Sequence, residues 1–138
     1  MPKGKVKIIN SISCEGFREE LQGTKIIIGM NSGGVILSDN KKDFHLTIVL
    51  EGQAEELGDL TMETRLIWAS GKGDLSDFDA TMEMKILNIT DGFVIELDGH
   101  AHVEEPGEFN LEIKQNDGEW QKIRKFWVIE KKEGKEDS

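Results

Sequence analysis

The strongest constraint on this chain is a two-residue alternation of apolar and polar side chains, repeated in short runs. Residues 43–50 show it most cleanly, with Phe44, Leu46, Ile48 and Leu50 on one face and His45, Thr47 and Val49 on the other. Successive strand side chains point to opposite faces, so such a run specifies a strand with one dry and one wet side. In residues 59–69, Leu60, Met62, Leu66 and Trp68 are in phase, opposite Glu63 and Arg65. Met82, Met84 and Ile86 repeat the pattern, as do Phe93, Ile95 and Leu97, then Phe109, Leu111 and Ile113. No segment sustains the 3.6-residue period of an amphipathic helix.

Turn signals separate these runs at roughly ten-residue spacing, which predicts seven or eight strands in an all-β, two-layer, mainly antiparallel sandwich. Residues 5–13 make a first strand with Val6, Ile8 and Ile12 on one face. Residues 14–21 read as a short helical turn or compact bend, and residues 51–58 as an acidic loop. Ile26-Ile27-Ile28 indicates a central strand, buried on both faces, and Val35-Ile36-Leu37 packs back or forms a brief strand. Residues 70–77 form a turn-rich loop, and Asp98-Gly99 breaks the strand begun at Phe93. Asn116-Asp117-Gly118 is the clearest hairpin signal, with Asp-Gly supplying the positive φ. The last strand spans residues 120–129. We expect one domain over residues 1–129 and a disordered charged tail over residues 130–138, which has no apolar side chain after Glu130.

The absence of tyrosine and the single cysteine argue against an immunoglobulin domain with its tyrosine corner and inter-sheet disulfide. Cys14 has no partner within the chain, which points to a reducing, cytoplasmic setting. The start, MPKGKVKIIN, has no apolar segment of signal-peptide length, and no apolar run approaches a membrane span. The net charge of −10 opposes nucleic acid and anionic membranes as partners, because phosphate binding needs a dense basic face. One local exception is Lys122 and Arg124, which alternate onto one face among Trp120, Phe126 and Trp127 as a small basic strip or a solvated strand face.

Three constellations could carry chemistry. His100 and His102, two apart in a strand, point to one face with Glu104 close by, and a transition metal takes such ligands. The pair resembles the first cupin motif, but the glutamate stands nearer than that motif places it and no histidine follows His102. Two solvated histidines are the plain alternative. Asp74, Asp77 and Asp79 fall in one loop that could hold calcium if other loops converged on it, or could simply form turns. Cys14 beside Glu15 is a poor nucleophile, because an acidic neighbour raises a thiol's pKa. No nucleophile elbow, phosphate loop, zinc-protease helix or dinucleotide fingerprint occurs, so we expect no enzyme activity and no cofactor.

The stretch Ser13-Cys14-Glu15, Arg18-Glu19-Glu20, Gly23-Thr24-Lys25 and Ile28-Gly29 resembles the opening of a bacterial family of small uncharacterised β-domains. Members open on Cys-Asp, Arg-Glu-Glu and a Gly-Lys turn. Here Glu15 replaces the Asp, and Thr24 separates Gly23 from Lys25. Pro106-Gly107-Glu108-Phe109 followed by Asp117-Gly118 is similar to that family's closing hairpin. The resemblance implies a β-sandwich with no assigned activity. We therefore expect a non-enzymatic module that binds a protein partner or itself, with Trp120 and Trp127 as the leading contact residues and the Arg18, Glu19, Glu20 bend as a second surface. The alternative is a metal or small-ligand module at His100/His102 or the loop at residues 74–79. Exposed Trp68, Trp120 or Trp127 rings would also suit stacking on sugars.

Overall fold

The computed structural model describes residues 3–19, 25–31, 34–37 and 42–130. Its strands are β1 (Lys5–Glu19), β2 (Lys25–Asn31), β3 (Gly34–Leu37), β4 (Asp43–Glu56) and β5 (Gly58–Trp68). They continue as β6 (Lys72–Asp74), β7 (Ala80–Ile86), β8 (Gly92–Glu105), β9 (Glu108–Gln115) and β10 (Gln121–Glu130). A 3-10 turn at Ser76–Phe78 lies between β6 and β7. Sheet I has the order β2-β1-β4-β8-β6, and sheet II the order β3-β10-β9-β5-β7. Among the described residues every strand pairing is antiparallel except that of β3 with β10. The fold is thus an all-β sandwich.

The inward residues of the alternating runs pack into or against the core, and on β4 the opposite-face Thr47 and Val49 are buried as well. Leu46, Ile48 and Leu50 from sheet I meet Leu60, Met62, Phe109, Leu111, Ile113 and Phe126 from sheet II in one core. Phe109 and Phe126 stack at 5.1 Å, and Trp68 meets Phe109 edge-on at 5.4 Å. Phe78, from the 3-10 turn, is also fully buried. Aromatic pairs of this geometry add to what area burial alone contributes.

Strands run further than the pattern indicates. Residues 14–19 are no helical turn but continue β1, with Arg18 opposite Ile26 and Glu19 opposite Lys25 on β2. β2 itself stands at the end of its sheet, so it is not the central strand its isoleucines suggest. The acidic residues 51–56 extend β4 as far as Glu56. β8 passes straight through Asp98-Gly99. Within residues 70–77 the short β6 pairs with β8. The described residues hold ten strands, the short β3 and β6 included, in the expected two-layer sandwich. At the β9–β10 connection it is Asn116, at φ 55°, that takes the left-handed conformation, rather than Asp117 or Gly118. Its side chain stays bonded to the Thr61 amide and the Gly4 carbonyl.

Two register shifts reassign faces. Between Ile8 and Asn10 the pairing of β1 with β4 slips by a residue. Val6 and Ile8 therefore face the core, but Ser11 and Ser13 follow them inward, and Ile12 falls opposite Val49 on the outer side. A bulge flips every later side chain to the other face, which is why simple alternation misplaces Ile12. The second shift, between Lys122 and Arg124, puts Lys122 opposite Glu112 and Arg124 opposite Leu111. The basic strip does not form. Lys122 faces outward, while Arg124 turns between the sheets and donates to the Ser11 carbonyl at 2.5 Å. Its guanidinium lies over the Phe126 ring, 5.2 Å from the centroid, and burial lowers its pKa.

Candidate functional site

The register of β4 on β8 sets three cross-strand rows on the outer face of sheet I: Asp43 with His102, His45 with His100, and Thr47 with Asp98. β6 adds Asp74 on the far side of His102. In β1 the backbone of Cys14 stands opposite Thr47. Directly opposed residues have Cβ atoms roughly 5 Å apart, so the side chains of each row meet.

Asp98 is the hub. Its Oδ1 accepts from the buried Thr47 hydroxyl and lies 2.8 Å from His45 Nε2. The Thr47 hydroxyl, and behind it His45 and His100, hold the Asp98 carboxyl below its ordinary pKa against a smaller opposing effect of burial. His45 and His100 place their ring centroids 5.1 Å apart with planes tilted by 55°. His102 Nδ1 lies 2.9 Å from Asp43 Oδ1.

The loop at residues 74–79 is joined to this face. Asp74 accepts from the Ser76 amide and hydroxyl, at 2.9 and 2.6 Å. These bonds, the hydroxyl's first, hold its carboxyl below the usual range, with His102 contributing less. Asp77 accepts from the His100 amide at 2.9 Å. β6 ends at Asp74, so this carboxylate takes over a backbone donor that β6 no longer pairs. A Cβ on Gly99 would come 2.7 Å from the Asp77 Cβ, so the approach needs glycine there. The two regions that the sequence offers as alternative ligand sites are therefore neighbours.

Of the predicted set, His100 and His102 do share a face, but Glu104 turns to Lys72 at 3.8 Å. Among the described residues no group of three or more His, Cys, Asp or Glu side chains could hold a metal ion. Sequence reasoning missed His45, Asp43, Thr47 and Asp98 as partners of these histidines. Alternation placed His45 and Thr47 on the outer face, but nothing local states which strand lies opposite.

The outer face of sheet II carries the predicted contact residues. Trp120 precedes β10 and is clamped. Arg65 lies 4.0 Å and Lys114 5.3 Å from its ring centre, and Arg65 is held in turn by Glu112 at 2.6 Å. Trp127 is 42% exposed and Ile129 52%, two apart on β10, with Ile67 40% exposed on the same face. Trp68 is half-buried, and its Nε1 donates to the Gly73 carbonyl at 3.2 Å, so of the three tryptophans Trp127 offers the freest ring. Of the second predicted surface, Arg18 and Glu19 belong to β1, and Glu20 lies outside the described residues. The tail at residues 131–138 also lies outside them. Among the described residues no helix is long and apolar enough to cross a membrane.

No protein-family model matches the chain, and no curated protein matches it. Among solved structures it is similar to part of a β-glucosidase from Listeria innocua in complex with glucose, at TM-score 0.46 and 8% identity. That match covers 91% of this chain and 16% of the other, so the chain spans about a sixth of the β-glucosidase. It is also similar to the Calx CBD1 domain in its apo form, at TM-score 0.34 and 12% identity, over 72% of this chain and 91% of that one.

Proposed function

We propose that the protein is a non-enzymatic β-sandwich module that associates through the outer face of sheet II, with a second copy of itself as the partner. The observation that carries this reading is the exposure of Trp127 and Ile129 beside Ile67 on one sheet face. Large exposed apolar side chains grouped on a face mark interaction sites, and tryptophan is prominent among residues that dominate binding.

Charge favours a second copy. The chain carries −10 overall, which makes most of its surface repel itself. On this face Arg65, Lys114, Lys122 and Lys125 alternate with Glu63, Glu108 and Glu112, so the local balance is near neutral and two copies meet without that penalty. The setting that goes with this reading is a bacterial cytoplasm, because a chain with one cysteine has no need of an oxidising compartment.

Sedimentation velocity over a wide concentration range tests the proposal. Wild type should populate a dimer, and the Trp127→Ser/Ile129→Ser double variant should stay monomeric. A monomer at every concentration would sink self-association and leave a different protein as the occupant of this face.

A second reading is ligand or metal binding on the outer face of sheet I. It is favoured by the three imidazoles that β4 and β8 bring to one side.

A further inference from the structure

We infer that the open edge of β7 is a second contact between copies of this chain, in which two β7 strands pair antiparallel about a two-fold axis at Met84. The contact uses none of the residues of the outer-face reading and goes beyond it.

The first argument is what the edge offers. Among the described residues β7 ends sheet II, with β5 as its neighbour. Its seven residues pair with β5 without a register shift and include no proline. Such an edge is a ready template for another strand. The direction of its polar groups follows from β5. Thr61 receives a bond from the Asn116 amide at its carbonyl and donates its own amide to Asn116 Oδ1, so both groups point to the β9 side. Backbone groups alternate sides along a strand, so Leu60 and Met62 turn theirs toward Met84 and Met82. The amides and carbonyls of Thr81, Glu83 and Lys85 are left pointing away from β5, out of the sheet.

The second argument is charge. Glu83 and Lys85 are exposed, two apart on the outer face, and among the described residues neither is in an ion pair. An antiparallel register centred on Met84 sets Glu83 of each copy opposite Lys85 of the other. Both residues turn their backbone groups outward, so each such pair exchanges backbone bonds and matches opposite charges. A two-fold axis at Glu83 or Lys85 would instead set like charges directly opposite. On the core side Met84 meets Met84 and Met82 meets Ile86, which covers methionines that are half-buried in the single chain. Leu87, 69% exposed just beyond β7, falls opposite Thr81 of the second copy.

The contact is small. A single strand pair buries less than the roughly 1,200 Å² of a stable complex, so an edge pair on its own is short-lived. A chain without the outer-face contact therefore stays monomeric in sedimentation while its edges still meet transiently. Where the outer face holds two copies together, the edges link such pairs to one another.

The test is disulfide trapping in a Cys14→Ser chain that also carries Trp127→Ser/Ile129→Ser, with circular dichroism to confirm that each variant is folded. The outer-face reading is judged by sedimentation alone, so the two fail separately. Opposed residues that exchange no backbone bonds stand close enough for a disulfide, so Met84→Cys should give oxidised dimer about tenfold faster than Met82→Cys. Adding Glu83→Lys or Lys85→Glu to the Met84→Cys chain should slow trapping about fivefold, and adding both should restore it to within about twofold. Equal rates for Met84→Cys and Met82→Cys, or a Met84→Cys rate indifferent to the two charges, overturns the proposal.

Discussion

The side-chain amide of Gln115 grips the backbone of Val6 from the opposite sheet, accepting from its amide and donating to its carbonyl, each at 2.9 Å. Gln115 thus imitates a neighbouring strand and ties the start of β1 to sheet II. Asn116 repeats the device on Gly4, whose own amide donates to the Asp59 carbonyl at 2.8 Å. The first strand is therefore anchored to both layers.

Removing this clasp should weaken the fold without changing its architecture. Gln115→Met keeps the length of the side chain and deletes both bonds, leaving the polar groups of Val6 without this partner. At about 0.5–1.5 kcal/mol net for each bond, the loss is about 1–3 kcal/mol. Urea unfolding should show a lower midpoint with an unchanged slope. An unaltered midpoint would mean that water replaces the amide.

Gly99 sets how closely the 3-10 turn seats on β8. Gly99→Ala would force the turn away from the strand, since its methyl would come 2.7 Å from the Asp77 Cβ. The variant should lose about 1–3 kcal/mol, as overpacked sites do. Amide exchange at His100 should accelerate, because the Asp77 acceptor moves off. Wild-type exchange at His100 in the variant would show that the turn follows the strand without losing the bond.

Ser76 controls the ionisation of Asp74. Its hydroxyl is the largest influence lowering that carboxyl's pKa, followed by its amide. Ser76→Ala should raise the Asp74 pKa toward the ordinary value, as read by NMR titration of the carboxyl. A group with a depressed folded pKa binds fewer protons folded than unfolded. Its stabilisation is therefore present above the unfolded carboxylate range and is lost as pH falls through the folded pKa. Ser76→Ala should make stability less dependent on pH in that acidic window. An unmoved Asp74 titration would assign the depression to the amide and to His102.

Much of the sandwich was legible because alternation is a local property. Phe44 to Leu50, Leu60 to Trp68 and Phe109 to Ile113 each state their buried face without reference to any other strand. The failures were also local in origin. Ile12 and Arg124 change sides because a single register shift reverses the parity of everything beyond it, and such a shift leaves no mark in the pattern of residue types. Residues 51–56 and Asp98-Gly99 carry loop-like compositions, yet they lie in long strands because β1 and β8 both pair along residues 51–53 and β4 pairs with Asp98-Gly99. Trp120 looked like a free contact residue until Arg65, distant in the chain, and Lys114, just before the β9–β10 turn, closed over it.

By itself the sequence determined the class of fold, the dry faces of most strands and the outward placement of His45. Those follow from side-chain direction along a single strand. Only the tertiary structure decided that His45 lies opposite His100, that Asp98 bridges to His45 beside Thr47, and that Asp77 holds the backbone amide of His100. These relationships depend on pairing between segments some fifty residues apart in β4 and β8, whose register is set by the packing of the whole core.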